Sequence, residues 1–286
     1  MKISKKFSAA KPVVSFEIFP PKADSGIEGI YDTLHALSFL KPDFISVTYG
    51  AGGEGNKGSV TAKIVERIKK IEGVESLAHL TCGEMTKSQL KAIVEDFKKR
   101  GIENILALKG DAEAEKGDFA YAKDLICELK KDDFCVGAAA YPEGHIACDD
   151  LELDLSYLKM KQDSGADFLI AQLCFENSKI LQFIESAEKR GISIPICAGV
   201  MPILSKSQVQ RMVFLCGASL PSPIIKLLNK YGDEGESLQK AGIEYAFKQM
   251  QGLMDSGVKG VHLYVMNKPF IAEYCMKNLK VGGTKK

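Results

Sequence analysis

The sequence predicts an α/β chain wound into one closed (β/α)8 barrel, the TIM-barrel architecture, with an extra helix between strands 7 and 8. Three observations predict it. Eight short runs rich in β-branched and aliphatic residues recur along the 286-residue chain, their starts roughly 30 residues apart, the interval of successive strand–helix units. Most of these runs are apolar almost throughout, which is the pattern of parallel strands buried on both faces. No linker, low-complexity tract or shift of composition divides them. The units therefore read as one domain spanning 1–286, with 1–12 and 281–286 expected as flexible tails.

The strands are expected at 13–19, 44–49, 76–81, 104–109, 135–141, 168–173, 194–200 and 260–266. Between them, apolar residues recur at three and four spacing. The first helical pattern places Ile27, Ile30, Tyr31, Leu34 and Leu37 on one face and stops before Pro42. Ser25 with Glu28 reads as its capping box, in which cap and third-residue side chains satisfy each other's free backbone N–H groups. Thr86 and Gln89 repeat the device before Leu90, Ile93, Val94 and Phe97. That helix is expected to stop at Gly101, after Lys98, Lys99 and Arg100, where cations suit the negative end of the helix dipole. The stretch 205–257 is long enough for more than one helix. It includes an amphipathic pattern over 236–255 carried by Leu238, Ile243, Phe247, Met250 and Leu253. A doubly wound dinucleotide fold would need a glycine fingerprint after its first strand; Pro20 and Pro21 stand there instead.

Composition narrows the function classes. The 38 basic and 37 acidic residues leave a net charge of +1 and are spread along the chain, which excludes an electrostatic surface for nucleic acid. The eight cysteines are scattered with no C-x-x-C pair, so neither a metal clip nor a redox pair is signalled. Met1 to Pro12 is basic but lacks the apolar core of a signal peptide. The longest apolar stretch, 192–204, contains two prolines and is too short to span a bilayer. A cytoplasmic protein with no membrane partner is expected.

Barrel enzymes gather their chemistry at the carboxyl ends of the strands, and the unusual residues of this chain fall there. Glu17 lies inside the first apolar run, just before Phe19-Pro20-Pro21. Thr48-Tyr49-Gly50-Ala51-Gly52-Gly53 ends the second, His79 lies near the end of the third, and Lys109-Gly110-Asp111 ends the fourth. The fifth runs into Tyr141-Pro142-Glu143-Gly144-His145, the sixth carries Gln172, and the eighth holds His262 and Tyr264 before Asn267. Singly, each has a structural explanation: a satisfied buried carboxylate, a core histidine, a helix cap. Together they mark one end of the barrel. A carboxylate among apolar side chains has its charged form disfavoured, so Glu17 is expected to hold a proton near neutral pH and serve as a general acid. Asp111, in a glycine turn, is expected to stay ionised and stabilise a developing cation. A metal site of Glu17, His79 and His145 is conceivable on residue type, but the spacing does not single it out and none is expected.

These residues resemble the 5,10-methylenetetrahydrofolate reductase family in its short bacterial form. The resemblance runs from about Val13 to Met276 and rests on SFEIFPPK (15–22), VTYGAGG (47–53), AHLTC (78–82), LALKGD (106–111), AAYPEGH (139–145), SGADFLIAQL (164–173), AGVMPI (198–203) and VHLYVMN (261–267). It implies an oxidoreductase of one-carbon metabolism, feeding methionine biosynthesis. Such an enzyme reduces 5,10-methylenetetrahydrofolate to 5-methyltetrahydrofolate by ping-pong hydride transfer from NADH or NADPH through the N5 of FAD. It implies that Glu17 is the general acid that opens the folate's bridging methylene, and that Asp111 is the carboxylate near the flavin edge and the folate. Gln172 and Tyr264, with Glu17, would contact substrate. Thr48, His79, Lys109, Gly110, Asp111, Tyr121, Tyr141, His145, Asp154 and Lys161 would hold FAD. A homo-oligomer is also implied.

Several positions depart from the family pattern: Lys109 replaces the usual Arg, Tyr157 and Met160 replace Asn and Arg near FAD, and Val265-Met266 replace Thr-Leu. Leu173 and Cys174 thin out an aromatic run, and Lys206 stands where a Phe can occur. Two other readings fit such a chain. One is a Schiff-base lyase using Lys109. The other is a flavin- or folate-binding subunit that depends on a partner protein as electron donor.

Overall fold

A computed structural model describes residues 1–21, 26–49, 57–110, 117–232 and 235–280. All eight expected strands form, within two residues at each end: β1 (Val13–Ile18), β2 (Phe44–Val47), β3 (Glu75–Thr81), β4 (Asn104–Leu108), β5 (Cys135–Ala140), β6 (Phe168–Ala171), β7 (Ile196–Val200) and β8 (Gly260–Tyr264). They close in sequence order into a parallel barrel. Closure pairs β1 with β8, Ser15 standing beside His262 and Glu17 beside Tyr264. The fold class is the expected (β/α)8 barrel.

Helices alternate with the strands: α1 (Ile27–Ser38), α2 (Lys57–Lys70), α3 (Lys87–Arg100), α4 (Ala122–Leu129), α5 (Leu151–Asp163) and α6 (Asn177–Lys189). Three more, α7 (Lys206–Cys216), α8 (Ser222–Tyr231) and α9 (Gly235–Asp255), lie between β7 and β8, and α10 (Pro269–Asn278) follows β8. The extra helical segment expected there is thus present, as α7 and α8 ahead of α9. The Thr86–Gln89 capping box forms as read, and α3 ends on Gly101 in the left-handed region at φ +73°. Ser25 lies outside the described residues; α1 begins after Gly26, which offers no capping side chain.

Inward and outward side chains alternate along each strand and make two cores. Outward residues such as Phe16, Ile18, Ile45, Val47, Leu80 and Ile105 pack beneath the helices. Inward residues near the amino ends, Val13, Phe44, Leu77, Leu106, Cys135, Phe168 and Cys197, form a separate apolar plug. The plug is filled to contact: a Cβ on Gly137 would stand 2.6 Å from the Phe168 ring. A third cluster, including Leu173, Phe175, Ile203, Ile224, Leu228 and Leu238, seats α7 to α9 against the loops of strands six and seven.

The start of the chain departs from expectation. Residues 1–12 were expected to be a flexible tail, yet Ile3–Ser8 is a 3-10 helix that closes the barrel floor. Ile3 is fully buried in the plug and the Phe7 ring lies 5.6 Å from that of Phe168. Charge patterning hid the two apolar residues that do this. Asn104, also fully buried, holds the segment: its Oδ1 accepts the Ile3 N–H at 2.8 Å, and its amide donates to the carbonyls of Met1 and Ser76. Asn104→Leu strips those partners and leaves a buried N–H unsatisfied, which should cost about 1–3 kcal/mol. A urea midpoint equal to the parent's would refute this role. Residues 281–286, the other expected tail, lie outside the described residues.

Candidate active site

The barrel interior changes character toward its carboxyl end. Above the apolar plug, β1 contributes Ser15 and Glu17, β2 Ser46, β3 His79 and β8 His262, all buried. Register explains the gathering, because Ser15 aligns with His262 and Glu17 with Ser46 on neighbouring strands. Period-two alternation then turns all of them inward. Ser15 Oγ and His262 Nδ1 are 2.7 Å apart. The other ring nitrogen, Nε2, stands 3.3 Å from Glu17 Oε2 and 3.2 Å from Ser46 Oγ. The Ser46 hydroxyl donates to the same carboxylate oxygen at 3.3 Å. Phe44 stacks on the His262 ring from below, 5.8 Å between centroids, and Tyr264 meets it edge-on from the mouth. A chain of four polar side chains therefore ends on Glu17.

This geometry corrects one expectation. Glu17 was expected to rise toward neutrality because its neighbours in sequence are apolar. Burial does push its carboxyl up, but the hydrogen bond to His262, the fields of His79 and His262 and the Ser46 hydroxyl together hold it below its ordinary value. The neighbours that matter come from strands two, three and eight. Burial pushes the His79 imidazole down to about 4, with His262 adding to the effect and Glu17 opposing it. Neutral His79 leaves its Nε2 3.4 Å from Glu17 Oε2, yet without hydrogen-bond alignment, so that buried nitrogen has no hydrogen-bond partner. His79, expected in the cofactor set, stands beside Glu17, and its orphaned nitrogen is available to a bound molecule.

A second cluster lies where β4, β5 and α5 approach the mouth. The Lys161 ammonium, half-buried near the end of α5, donates to the Ala139 carbonyl at 2.8 Å and lies 5.2 Å from the centre of the Tyr141 ring. Burial pushes the Lys161 amine down to about 8 against the pull of Asp154. Tyr141 and His145 meet edge to face at 4.6 Å, and the His145 backbone N–H donates to Asp154 Oδ2. Burial raises the Asp154 carboxyl, with Lys161 and His145 opposing. Burial lowers the His145 imidazole, aided by the Lys161 and Lys109 charges. Lys109 is exposed, its ammonium 5.6 Å from the centre of the exposed Tyr121 ring. Among the described residues the more enclosed amine at this mouth is Lys161. Gly110 takes φ +87°, where a Cβ would stand 3.0 Å from Thr81.

The remaining sequence candidates fall between or beside the clusters. Tyr264 reaches across the barrel, its hydroxyl 3.5 Å from the Ala171 carbonyl, and burial raises that hydroxyl well above its ordinary value. Gln172 is half-buried just past β6, its Oε1 accepting the Leu173 N–H. Thr48 follows β2 and accepts the Thr61 hydroxyl at its carbonyl, 3.1 Å away. Asp111 and Gly50 to Gly53 lie outside the described residues. Among the described residues no group of three His, Cys, Asp or Glu side chains is placed to hold a metal ion. Ser15, Ser46 and His262 are the site residues that sequence reasoning missed as partners. Their signal was present: each is a polar interruption of an apolar strand, at the parity that faces inward.

The fold and the site define a (β/α)8 barrel whose ionisable groups converge at the carboxyl ends of its strands. This chain belongs to the methylenetetrahydrofolate reductase family, whose model matches residues 2–280. It is 35% identical to the 5,10-methylenetetrahydrofolate reductase of Pectobacterium carotovorum subsp. carotovorum, over 89% of this chain and 86% of that one. It is 32% identical to the Arabidopsis thaliana protein named methylenetetrahydrofolate reductase (NADH) 1, over 93% of this chain and 48% of that one. The chain spans about half the length of the fungal and plant relatives it matches. A solved Clostridium thermocellum protein, described as binding two copies of 5-methyl-5,6,7,8-tetrahydrofolic acid, superposes with a TM-score of 0.68. Its identity is 15%, with 96% of this chain and 95% of that one covered, which shows the shared fold. Among the described residues no helix is long and apolar enough to cross a membrane.

Proposed function

We propose that this chain reduces 5,10-methylenetetrahydrofolate to 5-methyltetrahydrofolate, using FAD and NADH or NADPH in a ping-pong order. The observation that carries the reading is Glu17. It is buried inside the barrel and closes a hydrogen-bonded chain within the segment SFEIFPPK. The carboxylate accepts from the Ser46 hydroxyl and stands within hydrogen-bond reach of the His262 imidazole, so the acid would act together with that neighbour. Glu17 would pass the proton to the folate nitrogen that leaves the bridging methylene. His262, oriented by Ser15, would hold the Glu17 carboxyl in place and restore its proton. Tyr264 and Gln172 flank the same opening and would orient the folate ring. Asp111, directly after Gly110, would supply the negative charge that steadies the cationic folate.

The second cluster fits FAD on donor chemistry. Two cations, Lys161 and Lys109, suit a diphosphate; Tyr121 and Tyr141 offer aromatic faces; Gly110 lets backbone approach a flat ring. Together with Thr48, His145, Asp154 and the unpartnered nitrogen of His79, these residues would hold the cofactor. FAD would supply the hydride chemistry, and the protein orientation and electrostatics. Lys161 gives this fit a pH signature. Its amine titrates at about 8 in the free protein, and an anionic diphosphate favours the ammonium, so binding takes up a proton above that pH. Affinity for FAD should be greatest below pH 8 and fall as pH rises through it. Titrations of the flavin-free protein at pH 7 and pH 9 would show the drop, and Lys161→Met should flatten the profile. A parent protein with equal affinity at both pH values would remove Lys161 from the diphosphate site.

The test of the function itself is spectroscopic. The purified protein should be yellow, bleach with NADH or NADPH under nitrogen, and recover colour when methylenetetrahydrofolate is added. A protein that binds no flavin overturns the reading. One that binds flavin but is bleached only by a reduced protein donor would favour a subunit dependent on a redox partner.

A further inference from the structure

We infer that Glu143 is a positioning residue. It clasps three successive strand–helix units together and thereby holds the turn that carries Tyr141 and His145. The inference rests on the reading above that those two side chains hold FAD.

Glu143 belongs to the cofactor segment but takes no part in its cluster. Tyr141, Pro142, Glu143 and Gly144 form a tight turn, closed by the Gly144 N–H donating to the Tyr141 carbonyl at 3.1 Å. Pro142 at the second position pre-sets the backbone for such a turn. Gly144 leaves it at φ +86°, where a Cβ would also meet Leu151 at 2.8 Å. Tyr141 at the start and His145 just after the end meet each other beside Lys161. The turn's third residue, Glu143, points elsewhere.

Its carboxylate is nearly saturated. Oε1 accepts the Lys179 ammonium of α6 at 2.7 Å and the Ser219 hydroxyl at 2.6 Å, and Oε2 accepts the Ser219 backbone N–H at 3.2 Å. Lys179 also donates to the Ser219 hydroxyl at 2.6 Å and lies 3.4 Å from Glu176. The carboxylate is largely buried, and burial pushes its carboxyl up. The Lys179 and Ser219 contacts outweigh that and hold it below its ordinary value. Hydrogen bonds to a charged carboxylate are stronger than neutral ones, here moderated by the part-exposure of Lys179. They join the fifth unit's loop to the start of α6 and to the segment between α7 and α8. A short turn fixed at its tip holds both of its ends, so the clasp sets where Tyr141 and His145 stand before a cofactor arrives. Preorganisation of that sort is read in affinity, because it lowers the ordering that binding must impose.

The experiment compares Glu143→Ala, Lys179→Met and their double variant with the parent. FAD dissociation constants are measured on the flavin-free proteins, and turnover at saturating FAD. Each single variant is expected to weaken FAD binding by about tenfold, roughly one charge-assisted hydrogen bond, while turnover at saturating FAD falls less than about threefold. The double variant should be no weaker than the worse single one, since one clasp is lost in each case. Lys179→Arg should keep most of the affinity. The amide hydrogens of Gly144, Ala147 and Cys148, all bonded within this segment, should exchange about tenfold faster in Glu143→Ala, and that readout needs no flavin. Unchanged exchange there overturns the clasp. Faster exchange with unchanged FAD affinity overturns its role in holding cofactor. A loss of affinity that merely tracks a lower melting temperature of the flavin-free protein also overturns it. If the parent binds no FAD, the functional reading fails, while the exchange rates still decide the clasp.

Discussion

Glu17→Gln is expected to yield a folded, yellow protein that NADH or NADPH still bleaches, but whose folate half-reaction is slowed at least a hundredfold. Positioned general acids contribute about 10²–10⁴-fold, so the loss should fall in that range. The substitution is close to isosteric. Gln can still accept from Ser46 and can face His262, so neither the fold nor the flavin site has reason to change. What disappears is the carboxyl oxygen that would carry a proton to the folate. The two half-reactions separate the outcomes, since flavin reduction by a nicotinamide needs no acid at that position. Methyltetrahydrofolate formation at the parent's rate would sink the acid role. Equal slowing of both half-reactions would assign Glu17 to holding the flavin instead. His262→Gln should reproduce a weaker form of the same defect, because it removes the imidazole that stands 3.3 Å from the Glu17 carboxylate and would hold it in place.

Gly199→Ala should be the most damaging single-methyl change among the glycines of the β-strands. Gly199 sits in β7, and a Cβ there would stand 2.2 Å from the Ala171 carbonyl oxygen and 2.8 Å from the Tyr264 hydroxyl. The first neighbour is backbone of the adjoining strand and cannot swing aside. Relief requires β6 and β7 to part or Tyr264 to leave its place. Overpacking of this kind costs about 1–3 kcal/mol and can exceed it. A melting temperature lowered by roughly 5 °C or more is expected, with folate affinity falling alongside as Tyr264 moves. A variant with the parent's melting temperature and folate affinity would show that the strands yield freely there. Gly137→Ala offers a comparison lower in the barrel, where the obstacle is the Phe168 side chain and repacking has more freedom.

Much of this architecture was legible in one dimension. Parallel strands buried on both faces must be apolar, so their positions and number could be read to within two residues. The capping of α3 depended on Thr86 and Gln89, three residues apart, and on Gly101 at its end; such local bonds are visible without a fold. Glu17, Gln172 and Tyr264 stood out because polar groups inside apolar strands are costly unless used. The chain start was misread for the opposite reason. Ile3 and Phe7 are two apolar residues in a basic segment, and only the open floor of a closed barrel gives them something to fill.

The charge state of Glu17 marks the boundary between the two kinds of knowledge. The sequence by itself determined that a carboxylate would sit in an apolar strand at the mouth of an eight-stranded barrel, because strand periodicity acts over a few residues. Only the tertiary structure decided that His262, Ser46 and His79 would surround it, from strands 29 to 245 residues away in the chain. A pKa depends on charges and hydrogen bonds within a few ångströms in space, and barrel closure, which brings β8 beside β1, is what put them there.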